Sequence, residues 1–348
     1  RRPNSAADPY LIAARILKDV EAYRYVGEDG RRFQVGVSIG LVRLDTRWRK
    51  EADAVKAADA ACYAAKAGGR GRVVRENIDV ADAQLVESAP DGTIQWGALL
   101  GQALDEDRFV LHAQRIVPLR EGVAGGLHCE VLVRLADGKG GLIEPGAFMS
   151  SAERYQLASR VDRWVLRHVL KTLQDSGAAG IERVAVNCSG QSVGDRAFHD
   201  FVIGAIRDSG LPPEVLCIEI TETAAVTNLA NAACFIDALQ SLGVIVALDD
   251  FGSGASSFGY LKSLRVDKLK IDGQFVRGVL DGTLEAAAIR SFVDVASVLG
   301  IRTVAEQIES AAVGEKLRAM GVDYGQGFHF HRPEPFADVL AKWGRPRP

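Results

Sequence analysis

The chain has 348 residues, of which 47% are hydrophobic and 25% are charged, the balance of an ordinary globular protein. Its formal net charge of −3 at pH 7 argues against duplex nucleic acid or an anionic membrane surface as a partner, because both attract basic patches. No apolar run approaches the roughly 18 residues of a membrane-spanning helix, so we expect no membrane segment in this chain.

The first 93 residues contain a few regular elements and then a looser stretch. Residues 9–25 carry the apolar spacing of a helix, residues 33–41 alternate like a strand, and residues 53–67 form a second, alanine-rich helical pattern. Residues 76–93 are rich in acidic and small side chains, which is typical of a linker. The predicted organisation is a small domain over 1–75, a linker over 76–93 and a large domain over 94–348.

The large domain alternates apolar, β-branched segments with amphipathic helical ones. This alternation indicates parallel strands with right-handed crossovers, and eight units in about 250 residues match a (β/α)8 barrel. A doubly wound open sheet is the alternative, but the glycine-rich loop that usually follows its first strand is missing from the sequence. The predicted strands are 109–117, 127–133, 184–186, 215–220, 244–248, 268–271, 302–305 and 324–330, and the predicted helices include 158–173, 197–207, 229–242, 284–299 and 311–320.

Polar groups recur at the ends of these predicted strands. Since the carboxyl ends of parallel strands meet at one mouth of a barrel, we expect these groups to converge. A single carboxylate at a strand end is often a helix cap, but its repetition in successive units favours a functional site. Oxygen ligands with one cation among them suit hard divalent metals and phosphate chemistry. The residues are Glu130, Asn187, Glu219, Asp249, Asp250, Lys270, Glu306 and Gln326.

The adjacent acids Asp249 and Asp250 are central to this interpretation. Two ionised neighbours repel each other unless a cation lies between or beside them, and Mg²⁺ or Mn²⁺ would relieve that repulsion. Two such ions would activate a water and neutralise phosphoryl oxygens. Lys270 is predicted to hold the attacking water or to offset phosphate charge. Gln114 and Arg134, on the first two strands, are candidates to donate hydrogen bonds to a phosphate.

The five cysteines are odd in number and show no Cys-x-x-Cys spacing. We interpret them as buried free thiols in a reducing cytoplasm rather than as disulfides or zinc ligands. The expected location is therefore cytoplasmic, with a membrane tether upstream of Arg1 left open for a longer protein.

Together the motifs of the large domain resemble the EAL-domain phosphodiesterases, over about residues 94–345. The resemblance implies a modified (β/α)8 TIM-type barrel that hydrolyses cyclic di-GMP to linear pGpG with Mg²⁺ or Mn²⁺. The motifs are Glu130-Val131-Leu132 with Arg134, Asp162-Arg163-Trp164-Val165-Leu166, Asn187-Cys188-Ser189, Glu219-Ile220-Thr221-Glu222, Asp249-Asp250-Phe251-Gly252-Ser253-Gly254, Leu269-Lys270-Ile271-Asp272, Ala305-Glu306-Gln307-Ile308-Glu309 and Gln326-Gly327-Phe328.

The resemblance also implies a role for each site residue. The first metal ion would be held by Glu130, Asn187, Glu219 and Asp249, and the second by Asp249 and Asp250, with Glu306 nearby as a ligand or base. Lys270 and Gln326 would position the nucleophilic water, and Gln114 and Arg134 would hold the substrate phosphates. Glu222 would brace the loop after Asp250, which in this family couples the site to a dimer interface, so we expect a homodimer.

This chain departs from the family pattern at several positions, none of them a metal ligand. Arg115 and Glu144 replace the usual proline, Ala255 lies where an aromatic residue is common, and Gln307-Ile308 replaces Gly-Val. Val131 is the altered middle residue of the motif that names the family. These changes bear on rate and loop coupling rather than on the chemistry.

Residues 1–75 resemble the C-terminal half of a GGDEF diguanylate cyclase domain. The carriers are Val37-Ser38-Ile39-Gly40, Ala58-Asp59-Ala60-Ala61-Cys62-Tyr63-Ala64-Ala65-Lys66 and Gly69-Arg70-Gly71-Arg72-Val73. Lys66 and Arg70 match positions that contact GTP phosphates in that family, so the full protein is a candidate to bind GTP there. The signature loop would precede Arg1, and we therefore predict no cyclase activity from this chain.

Two other functions are compatible with these patterns. One is a receptor that binds cyclic di-GMP without cleaving it, and the other is a barrel metallohydrolase for a different phosphodiester. Receptors of this type typically lose metal ligands, whereas every metal position is filled here, which favours the enzyme.

Overall fold

The computed structural model describes residues 12–13, 15–17, 20, 24–26, 32–34, 37–42, 58, 61, 73–75, 92–120, 126–138, 140–177, 180–253 and 258–344. The chain separates into two compact units, Arg1–Thr93 and Ile94–Pro348. In the first unit, strands Arg24–Val26 and Arg32–Gln34 pair antiparallel, and strands Ile39–Leu41 and Val73–Arg75 pair parallel.

The predictions for the first unit can be compared with the structure at only a few positions. The helix predicted over 9–25 extends too far, because Arg24–Val26 is a strand. The single strand predicted over 33–41 overlaps two separate strands, Arg32–Gln34 and Ile39–Leu41, which belong to different sheets. Most of the helix predicted over 53–67, Lys66, Arg70 and the linker up to residue 91 lie outside the described residues.

Eight strands of the second unit, all within the described residues, close into a barrel. Seven of them, β2 to β8, run parallel to one another, whereas β1 is antiparallel to both of its neighbours, β2 and β8. The strands are β1 (Phe109–Pro118), β2 (Leu127–Ala136), β3 (Ile181–Cys188), β4 (Leu216–Thr221), β5 (Ile245–Phe251), β6 (Lys268–Ile271), β7 (Arg302–Ala305) and β8 (Tyr324–Gln326). Two-residue strands Leu142–Ile143 and Glu334–Pro335 extend the sheet beside β2 and β1.

The antiparallel β1 corrects the prediction of uniform strand–helix alternation. Residues 119–126 alone connect β1 to β2, and a parallel crossover needs about a dozen residues or more. The eighth predicted strand was also too long, since β8 ends at Gln326 and the chain turns at Gly327.

The predicted helices are confirmed to within three residues at each end, and a helix before β1 was not predicted. That helix begins at Gly92, inside the predicted linker. The helices are α1 (Gly92–Asp105), α2 (Pro145–Arg154), α3 (Ala158–Ser176), α4 (Gly190–Gly194), α5 (Arg196–Ser209), α6 (Glu222–Thr227), α7 (Leu229–Gln240), α8 (Leu261–Leu264), α9 (Gly273–Arg277), α10 (Thr283–Leu299), α11 (Ala311–Ala319) and α12 (Phe336–Trp343), with 3₁₀ turns at Pro213–Val215 and Phe258–Tyr260.

The period of two along each strand sorts apolar side chains from polar ones. On β3, Val184 and Val186 pack outward in the main hydrophobic core, and Ala185 faces inward with Cys217 and Ala247. The next inward residue on β3, β4 and β5, two positions further along each strand, is Asn187, Glu219 and Asp249 respectively. Small residues therefore fill the barrel below, and polar groups face its mouth.

Candidate functional site

The centre of the barrel mouth is a buried lysine surrounded by carboxylates. Lys270 on β6 is 1% exposed. Its Nζ lies 2.6 Å from Glu219 Oε2, 2.8 Å from Glu306 Oε1, and 3.2 Å from both Glu130 Oε2 and Asp249 Oδ1. These four acids come from β2, β4, β5 and the residue after β7, so groups far apart in sequence converge as predicted.

Glu130 accepts hydrogen bonds from two side-chain amides in addition to the one from Lys270. Asn187 Nδ2 donates to its Oε1 at 2.6 Å, and Gln326 Nε2 donates to its Oε2 at 2.8 Å. Burial raises the pKa of Glu130, but the charge of Lys270 and these two amide hydrogen bonds outweigh it, so its pKa is lowered. Glu130 is therefore a carboxylate at neutral pH.

The other acids of the cluster are crowded around a single cation, so their ionisation is disfavoured. Burial raises the pKa of Glu219, Asp249 and Glu306, and neighbouring carboxylates raise each further, against the opposing effect of Lys270; the pKa of Glu306 reaches about 8. Burial lowers the pKa of Lys270, but the four acids raise it well above its ordinary value. Lys270 therefore stays an ammonium, and its single charge does not balance the acids around it.

The adjacent acids predicted from the sequence sit where β5 becomes irregular. The register of β5 against β6 shifts between Leu248 and Phe251, and Asp250 has φ +54, a left-handed conformation that aspartate tolerates. The amide of Asp250 donates to Asp249 Oδ1 at 2.9 Å. Burial and the charge of Asp249 raise the pKa of Asp250 to about 6.

These acids have the geometry of a cation site. One carboxylate oxygen from each of Asp249, Asp250 and Glu306 lies within 4.8 Å of the others. Gln326 Oε1 is buried without a hydrogen-bond partner, so it is available to a water or another donor. A divalent cation fits this donor set, because hard oxygen ligands surround it and the acids outnumber the lysine.

Gln114 is held within the protein rather than pointing freely into the mouth. It lies opposite Glu130 in the β1–β2 register. Its Oε1 accepts from Gln326 Nε2 at 3.0 Å, and its Nε2 donates to the carbonyl of His331 at 2.8 Å. Gln114 therefore orients Gln326, and His331 is a supporting residue that sequence patterns did not identify, since the contact uses its backbone.

Arg134 lies on the same face of β2 as Glu130, four residues nearer the mouth. Its Nη1 donates to the carbonyl of Val133 at 3.0 Å, and its Nη2 lies 2.8 Å from Glu144 Oε2. Arg134 was predicted from the sequence to hold a phosphate, whereas its ion pair with Glu144 was not predicted.

Glu222 connects the start of α6 to the segment after Asp250. Thr221 caps this helix by accepting from the amide of Ala224, which places Glu222 in its first turn. The carboxylate of Glu222 accepts from the amide of Gly252 at 2.9 Å and from the hydroxyl of Tyr260 at 2.5 Å. Tyr260 was not identified from the sequence, and residues 254–257, including Ala255, lie outside the described part.

In the described part of the chain, no helix combines the length and apolarity needed to cross a bilayer. Cys129, Cys188 and Cys217 are buried free thiols as predicted, Cys234 is free but exposed, which corrects the prediction for that residue, and Cys62 lies outside the described residues.

A closed barrel with carboxylates at the carboxyl ends of its strands places this protein in the class of barrels whose binding site occupies that face. Residues 99–333 match the model of a family described as the EAL domain, and the chain belongs to that family. This confirms the resemblance found for the large domain.

Relatives of this chain carry cyclic di-GMP in their names. This chain is 32% identical over 339 residues to cyclic di-GMP phosphodiesterase PdeB of Shewanella oneidensis. The match covers 96% of this chain and 39% of PdeB. The bifunctional diguanylate cyclase/cyclic di-GMP phosphodiesterase MucR of Pseudomonas aeruginosa is 32% identical over 339 residues, covering 96% of this chain and 48% of MucR. The chain thus spans less than half the length of either relative.

A solved structure of the PaMucR phosphodiesterase in complex with c-di-GMP is similar to this barrel. Its TM-score is 0.65 at 33% identity, and the match covers 71% of this chain and 100% of that one.

Proposed function

We propose that the barrel hydrolyses cyclic di-GMP to linear pGpG with two Mg²⁺ or Mn²⁺ ions. The observation that carries this proposal is the cluster of four acids around Lys270, extended by Asp250. The names of the relatives support cyclic di-GMP as the substrate. A ligand residue stands at every metal position of the family, which supports cleavage over binding alone.

The family resemblance assigns the metal ligands, and the grouping of Asp249, Asp250 and Glu306 at the mouth supports that assignment. Glu130, Asn187, Glu219 and Asp249 would hold one ion, and Asp249 and Asp250 the other, with Glu306 beside them. When bound, the ions supply a nucleophilic water at neutral pH and charge neutralisation at the phosphoryl oxygens.

The side chains of the chain itself orient the reactants. Lys270 is protonated, so it would act as a hydrogen-bond donor toward the attacking water. Gln326 donates both of its amide N–H groups to Gln114 and Glu130, so it would position that water by accepting a hydrogen bond through its free Oε1. Glu306, 2.8 Å from Lys270, would be the base that takes the proton of the water as its oxygen attacks phosphorus and the bond from phosphorus to the ribose oxygen breaks, because bound cations would lower the pKa of about 8 that its carboxyl has without them.

Arg134 would hold a substrate phosphate. Gln114 was predicted to do the same, but its amide is bonded to the carbonyl of His331 and to Gln326, so its contribution would be chiefly to orient Gln326.

The test is an assay of the purified chain with cyclic di-GMP and either Mg²⁺ or Mn²⁺, with pGpG measured by chromatography. We expect product from the wild type, none after chelation, and a large loss in Glu130→Gln, which keeps the shape and removes a ligand charge. Glu309→Gln, an exposed charge change, is the matched control. Tight binding of cyclic di-GMP without pGpG would establish the receptor function instead, and no binding would reject both.

The remaining proposals concern the longer protein. MucR aligns with 96% of this chain and is named for both activities, which supports a GGDEF-like half domain over 1–75, a linker over 76–93 and the phosphodiesterase barrel over 94–348. We include in this proposal that the full protein binds GTP and has a cytoplasmic location. We also propose a homodimer through the barrel, with Glu222 bracing the loop that couples the site to the dimer interface. Size measurement in solution tests the dimer.

A further inference from the structure

The ion pair between Arg134 and Glu144 joins two very differently placed side chains. The Arg134 side chain is 8% exposed, and the Glu144 side chain is 69% exposed. Arg134 is held in place by the strand that carries it and by its bond to the carbonyl of Val133. The arginine is therefore a stationary group of the mouth, whereas its partner reaches it from solvent.

Glu144 is not required by the helix that follows it. It occupies the N-cap position of α2, with extended φ −71 and ψ 149, but its side chain makes no capping hydrogen bond. Pro145, the first helical residue, starts the helix with a φ that its ring already fixes in the helical range. The carboxylate is thus free to turn toward Arg134 or back into water.

Carboxylate and phosphate compete for the same edge of a guanidinium. Both present two oxygens at the spacing of the guanidinium N–H groups, so an N–H that points at Glu144 is taken from an incoming phosphate. His112 also lies close to the pair, and burial followed by the charge of Arg134 lowers its pKa, so it is neutral near pH 7 and brings no second cation.

We propose that Glu144 sets the substrate affinity of the site, because it occupies the guanidinium edge of Arg134 that a substrate phosphate binds. This inference rests on the proposed function. A phosphate displaces an exposed carboxylate that returns to water, so binding still occurs but is weaker than Arg134 alone would allow. Proline, the usual residue at this position in the family, has no such group.

The size of the effect follows from the exposure of Glu144. An exposed ion pair contributes little, so removing the competing charge is expected to strengthen binding by about two- to fivefold. A role for Glu144 in holding Arg134 in its productive position predicts the opposite sign, since its loss would then weaken binding.

The experiment compares wild type, Glu144→Gln and Glu153→Gln by titration calorimetry with cyclic di-GMP. Ca²⁺ replaces Mg²⁺ because its looser coordination suits the site poorly for turnover, and the nucleotide is recovered afterwards to verify that it is intact. Glu153 is an exposed residue of α2, the helix that Glu144 precedes, and its substitution by glutamine removes the same charge. A second readout is KM in Mg²⁺.

The expected result is a lower dissociation constant and a lower KM for Glu144→Gln, with Glu153→Gln equal to the wild type. Tight binding by the wild type with equal or weaker binding by Glu144→Gln would overturn the inference and leave the proposed function intact. Equal strengthening by both variants would assign the effect to net charge and overturn it as well. Wild-type protein that does not bind cyclic di-GMP would overturn the proposed function and this inference with it.

Discussion

Lys270 Nζ and Glu219 Oε2 lie 2.6 Å apart at the barrel mouth, and both side chains are almost fully buried. Lys270 compensates Glu219 and three more acids at once. Glu130 has two amide donors besides Lys270, which is why its pKa falls where that of Glu219 rises. Removal of the lysine therefore affects the whole cluster.

Lys270→Met is expected to destabilise the metal-free barrel by about 3–5 kcal/mol, the usual result of leaving buried charges unpaired. Mg²⁺ or Mn²⁺ is expected to restore part of that loss, because a divalent cation offsets the same acids. Under the proposed function the turnover rate falls at least about a hundredfold, as when a donor at the reacting oxygens is removed. Urea unfolding with EDTA and with Mn²⁺ measures the stability, and exposed Lys262→Met is the control. Equal stability of the Lys270 and Lys262 variants in EDTA would contradict the prediction.

The raised pKa of Glu306 predicts a pH dependence of stability in the absence of metal. Its ordinary pKa is 4.5 and its folded pKa about 8, so between these values the folded state binds a proton that the unfolded state releases. The free energy of unfolding therefore falls as pH rises from about 4.5 to about 8. Glu306→Gln is expected to flatten this decline and to be more stable than the wild type at pH 8, by on the order of a few kcal/mol at most.

Thermal unfolding in EDTA across this pH range checks that prediction. Glu309→Gln removes an exposed carboxylate from the same segment and is expected to retain the wild-type slope. An unchanged slope in Glu306→Gln would mean that Glu306 ionises normally in the folded barrel.

The hydrogen bonds from the Gly252 amide and the Tyr260 hydroxyl to Glu222 are expected to stabilise the segment after Asp250 together. Tyr260→Phe removes one donor and leaves the bond from the Gly252 amide, at a loss of about 1 kcal/mol. Glu222→Ala removes the acceptor of both, so the loss is larger and the Gly252 amide exchanges faster with solvent. Hydrogen exchange at Gly252 separates the two variants. Similar exchange rates in both would show that the tyrosine, rather than the carboxylate, holds the segment after Asp250.

Gly327 permits the close approach of the chain after β8 to the segment after Glu306. Its φ is +156, and an added Cβ would overlap the backbone N and O of Ile308. Gly327→Ala is expected to destabilise the barrel by more than about 2 kcal/mol, since backbone cannot move aside as a side chain does. Gly204→Ala, in α5 with no heavy atom within 4 Å of the new Cβ, is expected to be stabilising by up to about 1 kcal/mol. Urea midpoints compare the two, and a lower midpoint for Gly204→Ala would contradict the steric account.

The strand–helix alternation and the polar group after each strand were readable from the sequence alone. The reason is physical: side chains alternate along a strand, and parallel strands end at the same mouth, so spacing along the chain predicts convergence in space. For that reason the apolar pattern alone was enough to predict that Glu130, Asn187, Glu219, Asp249 and Lys270 lie together.

Other features depended on contacts between distant parts of the chain. The reversed direction of β1 follows from a connection too short for a crossover, and it sets Gln114 opposite Glu130. Glu144 reaches Arg134 only because α2 begins beside the end of β2, and Tyr260 reaches Glu222 only after the chain has turned at Gly252.

The sequence by itself determined the barrel class and the acids that converge at its mouth, because side chains alternate along each strand and the apolar pattern records where each strand ends. The tertiary structure alone decided how those acids share the charge of Lys270 and which partners Arg134, Gln114 and Glu222 bind. Such pairings depend on distances of a few ångströms between side chains, and the apolar pattern that places a residue at the mouth does not specify which neighbour it meets there.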